Sequence, residues 1–349
     1  MKFFKRFLSL ALALVLTLGC FTMASAASID DGYEVLCEKF EFGEGPVVGD
    51  YSIDYRYFSP VGEGDTTKYP LVVWLHGMGD GSEDGKQVSK SEIAYWASDE
   101  FQSRFEPAGG AFILAARSRE EYGKFWDNDL VEPLRAAIED FIAENKENVD
   151  TTRIYIGGYS MGGKMTLKMS VAYPEMFAAA FPICPAWSVP GDYVNYLADL
   201  PIWLTSSRRD PLVNYFLAVT PTWNRIMAAS NVAKDCRFST LTKVCYATGE
   251  KTPSAHHAWF SVNYDMFSVE NGDYPNMSTV NGLGEEIKLE YPNGMISWLS
   301  QFTSDYDGTP VEGMGNLEGG RNTDGMVYFE SICDFFDVLF NAIKLLFTF

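Results

Sequence analysis

The sequence predicts an α/β fold with a mostly parallel central sheet, an antiparallel edge at its N-terminal side and helices on both faces. Three observations predict it. Short apolar runs alternate with longer segments, the runs are apolar throughout, and the segments between them place apolar side chains at helical spacing. Strands that are buried on both faces and joined by helices have this pattern. With 349 residues, 47% of them hydrophobic, the chain is long enough for one sizeable core.

The antiparallel edge is predicted from residues 33–60. The stretches YEVLCEKFEF and YSIDYRYF alternate aromatic and polar residues around Gly-Pro and Gly-Asp breaks. Such alternation is typical of strands that have one solvated face. Residues 33–60 therefore predict two antiparallel edge strands.

The parallel part of the sheet is predicted from continuous apolar runs. LVVWL at 71–75 is the first, and it leads into a glycine-rich stretch. The further predicted strands are AFILAA (111–116), RIYIGG (153–158), FAAAFPI (177–183), PIWLTSS (201–207) and TKVCYAT (242–248). The predicted helices are 91–105, 129–145, one that runs to about Ala172, 214–230 and 294–302. In such sheets the ligand-binding and catalytic residues lie in the loops that follow the carboxyl ends of the strands.

The first 26 residues have the three-part pattern of a secretory signal peptide. Basic residues come first, an apolar run follows, and the sequence ASA at 24–26 has the A-x-A form of a cleavage site,. We therefore expect residues 1–26 to be removed on export. The mature protein is expected outside the cell, free or associated with the cell surface, with residues 27–303 as its folded domain.

The C-terminal part of the chain differs in composition from the domain. Residues 304–325 are polar and rich in glycine, which predicts a linker. Residues 326–349 predict an amphipathic helix with one narrow polar stripe, and its four charges argue against a membrane-spanning helix,. We expect this helix to lie on a membrane surface or in a groove of a partner. Docking on its own domain is an equally open alternative.

Composition excludes several classes of function. The net charge is −20 and the sequence has no cluster of Lys and Arg, so nucleic acid is not an expected partner. The chain has three histidines and neither C-x-x-C nor H-E-x-x-H, so no metal or other cofactor is expected. Five cysteines follow the predicted signal, an odd number that is not a disulfide framework. Spacing leaves open whether Cys236 and Cys245 pair.

One serine stands between a predicted strand and a predicted helix, in the stretch RIYIGGYSMGGKM. Gly158, Ser160 and Gly162 fit G-x-S-x-G, the spacing of a nucleophile elbow. An elbow turns so sharply that only residues without bulk fit on either side of the serine. The spacing predicts Ser160 as the nucleophile of an acyl-transfer reaction.

A serine nucleophile needs a base, and the base needs an acid that orients it. In sheets of this type the chain order is serine, acid, histidine. His76 precedes the serine, so the base must be His256 or His257. The acid must lie between Ser160 and this histidine. Asp210 meets the condition, because it follows a predicted strand and stands in a turn fixed by Pro211. The alternative for Asp210 is a turn residue that pairs with a neighbouring arginine.

Acyl transfer also builds an oxyanion, which backbone N–H groups stabilise. One donor is expected from Met161, directly after the nucleophile, and a second from Met78 in the loop WLHGMGDG,. A dinucleotide site is the competing interpretation of this loop. Its glycines do not complete G-x-G-x-x-G, because Ser82 stands in the last position.

Taken together, these stretches resemble a known family. WLHGMGDG, Trp126, IGGYSMGGKMT, SRRDPLV and HHAWF are similar to the secreted esterase and predicted-peptidase branch of the α/β-hydrolases, which includes polyhydroxybutyrate depolymerase-like and feruloyl esterase-like enzymes. The resemblance covers roughly residues 33–303 and implies the α/β-hydrolase fold. Aligned on Trp259, the catalytic histidine of the family falls on His256, and His257 takes a variable position. Two departures concern specificity: Ser206-Ser207 replaces a His-Gly pair, and the loop after His76 is unusually acidic.

The sequence therefore predicts a secreted serine hydrolase that cleaves carboxylic esters, either small or linked to a polysaccharide, through an acyl-enzyme. The residues expected at the site are Ser160, Asp210 and His256 as the triad, Met78 and Met161 as oxyanion donors, and Trp126, Trp187 and His257 along the substrate. Two alternatives stay open. One is a serine peptidase of the prolyl oligopeptidase-like type, and the other is a non-catalytic binding protein attached to the cell surface.

Overall fold

The computed structural model describes residues 31–122, 126–246, 250–263, 276–289 and 294–311, together with residues 313 and 317. The predicted signal peptide at 1–26 and the predicted helix at 326–349 lie outside these residues. Both remain predictions.

A single mixed sheet organises the described residues. Its strands are β1 (Glu41–Glu44), β2 (Asp54–Phe58), β3 (Tyr69–Leu75), β4 (Phe112–Arg117), β5 (Val149–Tyr159), β6 (Ala179–Ile183), β7 (Trp203–Ser207), β8 (Arg237–Leu241) and β9 (Met277–Asn281). They lie in the order β1-β2-β4-β3-β5-β6-β7-β8-β9. The six strands from β4 to β8 in this order are parallel, whereas β1, β2 and β9 run antiparallel to their neighbours. The predicted fold class, including the antiparallel N-terminal edge, is confirmed.

Helices cover both faces of the sheet. They are α1 (Asp31–Glu38), α2 (Lys86–Ser89), α3 (Asp99–Gln102), α4 (Val131–Glu144), α5 (Met161–Ala172), α6 (Thr220–Ala229), α7 (Trp259–Asn263) and α8 (Met295–Leu299). Shorter 3₁₀ turns include Ile93–Ala97 and Gly191–Leu197, and a π-helical turn, Tyr215–Val219, leads into α6. The helix predicted at 91–105 is thus the 3₁₀ turn Ile93–Ala97 followed by α3.

The core is divided between the two faces, and β3 shows why its sequence is apolar throughout. Leu71, Val73 and Leu75 belong to the core on the face covered by α4 and α5. Val72 and Trp74 belong to the core on the other face, with α8. Because strand side chains alternate between faces, a strand covered on both sides needs an apolar residue at every position. All five side chains are fully buried.

Two predicted elements are corrected by the structure. Residues 33–38, expected to begin an edge strand, belong to helix α1, because Tyr33 buries its ring and donates a hydrogen bond from its hydroxyl to the Val88 carbonyl at 2.8 Å. The last parallel strand is β8 rather than 242–248. β8 is flanked on its far side by β9, a strand that the sequence did not predict.

The described part of the predicted linker packs on the domain. Tyr306 and Leu317 are buried in the core on the α4 and α5 face, and the Ser304 amide donates to the Thr152 carbonyl at 2.8 Å. Within the described residues, no helix combines the length and the hydrophobicity that crossing a membrane would require. The domain boundary near residue 303 stays a prediction.

Candidate active site

Ser160 lies at a sharp turn between β5 and α5. Its backbone has φ 56° and ψ −114°, a left-handed conformation that a residue with a side chain adopts only at a cost of about 1–3 kcal/mol. The turn is held from outside, because the Ser160 amide donates to the Ile183 carbonyl at 2.9 Å and the Ala186 amide donates to the Ser160 carbonyl at 3.0 Å. The strained conformation therefore persists because residues at and after the end of β6 hold both the amide and the carbonyl of Ser160.

The glycines on either side of Ser160 have a steric explanation. A Cβ added to Gly158 would lie 2.4 Å from the Leu75 carbonyl oxygen, and one added to Gly162 would lie 2.0 Å from the same atom. Both distances are far below van der Waals contact, so any side chain would push the turn away from β3. The G-x-S-x-G pattern thus reflects the close approach of the turn to the end of β3.

Asp210 and His256 form a buried hydrogen-bonded pair at the same edge of the sheet. Asp210 follows β7 and His256 lies on the loop before α7. His256 Nδ1 lies 2.7 Å from Asp210 Oδ2, and the side chains are 8% and 0% exposed, respectively. A carboxylate only accepts hydrogen bonds, so Nδ1 carries the proton and Nε2 of the neutral ring is left as the basic nitrogen.

The surroundings of the pair fix its orientation and its protonation. The other carboxylate oxygen of Asp210 accepts hydrogen bonds from the amides of Leu212 at 2.8 Å and Val213 at 2.9 Å. Burial by itself would lower the pKa of His256, but the Asp210 carboxylate that accepts its Nδ1 proton opposes burial and raises that pKa above its usual value. Asp210 is therefore bonded to the imidazole and to its own turn, rather than to a neighbouring arginine.

His257 has a different environment. Its ring centroid lies 4.7 Å from that of Trp259, and among the described residues its buried Nδ1 has no hydrogen-bond partner. Burial and the neighbouring His256 lower the pKa of His257 to about 4, so its ring is neutral at pH 7. The structure pairs Asp210 with His256 and gives His257 no comparable partner.

Met78 and Met161, the two expected oxyanion donors, line one small pocket. Gly77, Trp126 and Ser118 line it with them. The space it offers is about 10 Å³, enough for about one water molecule. A single oxygen atom of a substrate fits such a pocket, but an acyl chain does not.

His76 holds this pocket together. The Ser118 amide donates to His76 Nε2 at 3.0 Å, so Nδ1 carries the proton and donates to the Gly77 carbonyl at 2.6 Å. The Trp126 indole donates to the His76 carbonyl at 2.9 Å. Burial lowers the pKa of His76 to about 4, and both ring nitrogens are occupied. His76 therefore connects the loop after β3 to the loop after β4.

The two tryptophans expected along the substrate are placed differently. Trp126 is fully buried, has a positive φ of 60° and forms part of the wall of the small pocket lined by Met78 and Met161. Trp187 is 6% exposed, and its ring lies 5.8 Å from Lys168 Nζ. The structure places Trp126 at the pocket and Trp187 in the core on the α4 and α5 face. Their roles toward a substrate stay predictions.

Cys184 is a neighbour of the pair that sequence reasoning did not nominate. It follows β6 as Ser160 follows β5 and Asp210 follows β7, and this position was the only signal available. One ligand atom each from Cys184, Asp210 and His256 lie within 4.8 Å of one another, the one such metal-ligand grouping in the part of the chain that the structure describes. The hydrogen bond between Asp210 and His256 already occupies two of the three groups. Cys37, Cys184, Cys236 and Cys245 are all free thiols, so Cys236 and Cys245 do not pair.

Comparisons with known proteins agree with this architecture. Residues 123–248 match the model of the Phospholipase/Carboxylesterase family. A solved thermostable esterase is 27% identical with a TM-score of 0.55, and the alignment covers 66% of this chain and 61% of that esterase. The chain thus spans less than two thirds of the length of that esterase. No curated protein matches the sequence.

Two further solved structures align with lower identity. Esterase 2 of Thermogutta terrifontis is 14% identical with a TM-score of 0.47, over 66% of this chain and 94% of the esterase. The acylaminoacyl peptidase of Pyrococcus horikoshii is 17% identical with a TM-score of 0.46, over 68% of this chain and 43% of the peptidase.

The sheet order, the strand–turn–helix around Ser160, the family match and the likeness to the thermostable esterase define the class of protein. The chain belongs to the α/β-hydrolase superfamily.

Proposed function

We propose that this protein is a serine hydrolase that cleaves carboxylic esters through an acyl-enzyme intermediate. The observation that carries the proposal is the buried hydrogen bond between His256 and Asp210, at the edge of the sheet where the strained Ser160 lies. The family match to phospholipases and carboxylesterases supports ester bonds as the substrate class.

The geometry supports a role for each residue. Asp210 holds the His256 tautomer in which Nε2 is the base, and this nitrogen takes the proton of Ser160 Oγ as the serine attacks the acyl carbon. Met78 and Met161 line the small pocket, and their amides are assigned the role of stabilising the negative charge of the tetrahedral intermediate. One such donor contributes about 10²–10³ in kcat. His256 then gives its proton to the leaving alcohol, and water attacks the acyl-enzyme by the same route.

A substrate comparison tests the proposal. Purified protein is assayed with short-chain nitrophenyl esters, longer-chain acyl esters, feruloyl esters and peptide amides, alongside Ser160→Ala as the matched control. We expect ester turnover that Ser160→Ala abolishes. Turnover of peptide amides in preference to esters would replace the ester proposal by the peptidase alternative. A folded wild-type protein without any activity would favour the binding-protein alternative.

We also propose that residues 1–26 direct export, because they have the composition of a secretory signal,. Expression of the full chain in a secreting host tests this. The mature protein is expected in the medium or on the cell surface, beginning near residue 27. Retention of the uncleaved chain inside the cell would contradict it.

For the C-terminal helix we propose contact with a membrane surface, because its stretch combines an apolar face with a polar stripe,. Sedimentation with liposomes is expected for the full chain and not for a chain that lacks residues 326–349. Equal binding of the two chains would contradict the proposal.

A further inference from the structure

The turn after β6 is bonded to several parts of the candidate site at once. The Ile183 carbonyl accepts a hydrogen bond from the Ser160 amide, and the Ala186 amide donates one to the Ser160 carbonyl. The Cys184 amide donates to the Thr205 carbonyl of β7 at 2.7 Å, and β7 leads to Asp210. This turn therefore fixes the backbone of the nucleophile relative to the strand that carries the acid.

The Cys184 side chain extends this connection to the base. The thiol is fully buried, and its sulfur lies 3.5 Å from the His256 carbonyl oxygen, within hydrogen-bond distance for a sulfur donor. Burial raises the pKa of Cys184, so the group is a thiol with one proton to donate at neutral pH. Its backbone has a φ of 35°, a left-handed conformation that favours glycine. A side chain is thus kept at a position where the backbone disfavours one.

We propose that Cys184 is a positioning residue that sets the place of the catalytic base relative to the nucleophile. The inference rests on the proposed function of Ser160, Asp210 and His256. The thiol holds the backbone of His256 against the same turn that holds Ser160. A displacement of a reacting group by about 1 Å is enough to lower turnover about 100-fold, so a contact that fixes this separation affects kcat more than substrate binding.

A matched control is available in Cys236. This residue is also fully buried, and its thiol also lies close to a backbone carbonyl, that of Leu200 at 3.8 Å. It precedes β8, at the amino-terminal edge of the parallel strands, whereas Cys184 follows the carboxyl end of β6. Replacing either cysteine by alanine removes a buried thiol and leaves a small cavity, but only one of the two thiols touches the base.

The test compares kcat, KM, pH profile and melting temperature for Cys184→Ala and Cys236→Ala. Both changes are expected to lower the melting temperature by a similar amount. Cys236→Ala is expected to keep kcat, whereas Cys184→Ala is expected to lower kcat about tenfold or more at nearly constant KM. Cys184→Ser, which keeps a donor to the same carbonyl, is expected to recover part of the loss. Equal kcat values for Cys184→Ala and Cys236→Ala would overturn the inference.

Two additions keep the test decisive. If Cys184→Ala does not fold, Cys184→Gly removes the thiol while suiting the positive φ, and the same loss of kcat is expected from it. The NMR signal of the His256 Nδ1 proton, which is shared with Asp210, reports the position of the base without catalysis. It is expected in the wild type and in Cys236→Ala, and displaced or broadened in the Cys184 variants. An unchanged signal would overturn the inference, while absent ester turnover in the wild type would overturn the proposed function instead.

Discussion

His76 and His256 are both buried at the carboxyl ends of the parallel strands, yet their surroundings give them opposite properties. His76 lies among backbone groups: it accepts from the Ser118 amide and donates to the Gly77 carbonyl. His256 lies against a carboxylate, that of Asp210. Burial lowers the pKa of His76 to about 4, whereas the neighbours of His256 overcome burial and raise its pKa.

The difference shows that the partner, and not burial, decides what a histidine does in this molecule. A ring between an amide and a carbonyl has no free nitrogen and serves to hold a loop. A ring whose Nδ1 donates to a carboxylate keeps Nε2 for chemistry and stabilises the positive charge that proton transfer creates. The two histidine regions should therefore fail in different ways when they are altered.

The largest expected effect is on turnover. His256→Ala is expected to lower kcat by about 10⁴-fold or more, because removing one member of a triad removes the action of the whole unit. His257→Ala serves as the control and is expected to keep most of the activity. The measurement is steady-state hydrolysis of a short-chain nitrophenyl ester. Loss of turnover only in the His257 variant would contradict the assignment.

The next effect is on stability and concerns His76. His76→Ala is expected to lower the free energy of unfolding by about 2–4 kcal/mol, because it leaves the Ser118 amide and the Gly77 carbonyl without their partner and opens a cavity. Urea unfolding measures it, with His256→Ala for comparison. An unchanged free energy of unfolding together with a complete loss of kcat would mean that His76 takes part in the chemistry.

A third expectation concerns pH. The base must be neutral to act, and the pKa of His256 lies above its usual value of 6.5, so kcat/KM should rise with pH through a midpoint above 6.5. The stability contributed by the raised pKa has the opposite dependence. It is fully present below about pH 6.5 and is lost as pH rises through the pKa of the folded protein. A kcat/KM midpoint below 6.5 would contradict the pairing with Asp210.

These expectations also show how much of the site the sequence could provide. The sharp turn at Ser160 could be predicted because its closeness to Leu75 excludes side chains at Gly158 and Gly162, and this leaves the G-x-S-x-G pattern in the sequence. The position of Asp210 at a strand end could be predicted because Pro211 and the preceding strand mark a turn there. The choice of His256 over His257 needed a family alignment, since the two histidines are adjacent and the order of serine, acid and histidine fits either of them.

Other features could not be predicted because they depend on distant contacts. The contact of Cys184 joins residues 72 positions apart, and no local pattern distinguishes this cysteine from the other buried ones. Residues 33–38 form a helix because Tyr33 packs on Val88, although their alternation fits a strand equally well. β8 was missed in favour of 242–248 because its sequence, RFSTL, is only partly apolar.

The smallest expected effect concerns Asp80, in the loop that carries Met78. Burial raises the pKa of Asp80 to about 7. In the folded protein the Asp80 carboxyl group therefore keeps its proton over a pH range in which the unfolded chain releases it. As a result, the free energy of unfolding falls as pH rises from about 4 to 7. Asp80→Asn is expected to remove this loss, so that its free energy of unfolding at pH 8 exceeds that of the wild type. Unfolding curves at pH 4 and pH 8 measure it, and an equal difference at both pH values would contradict the explanation.

The central claim is that Ser160 is an activated nucleophile. The most direct measurement is reaction of the folded protein with a fluorophosphonate, followed by intact mass and peptide mapping. We expect one adduct per chain, on Ser160, and no adduct in Ser160→Ala. A folded wild-type protein that stays unlabelled, or an adduct on a different residue, would contradict it.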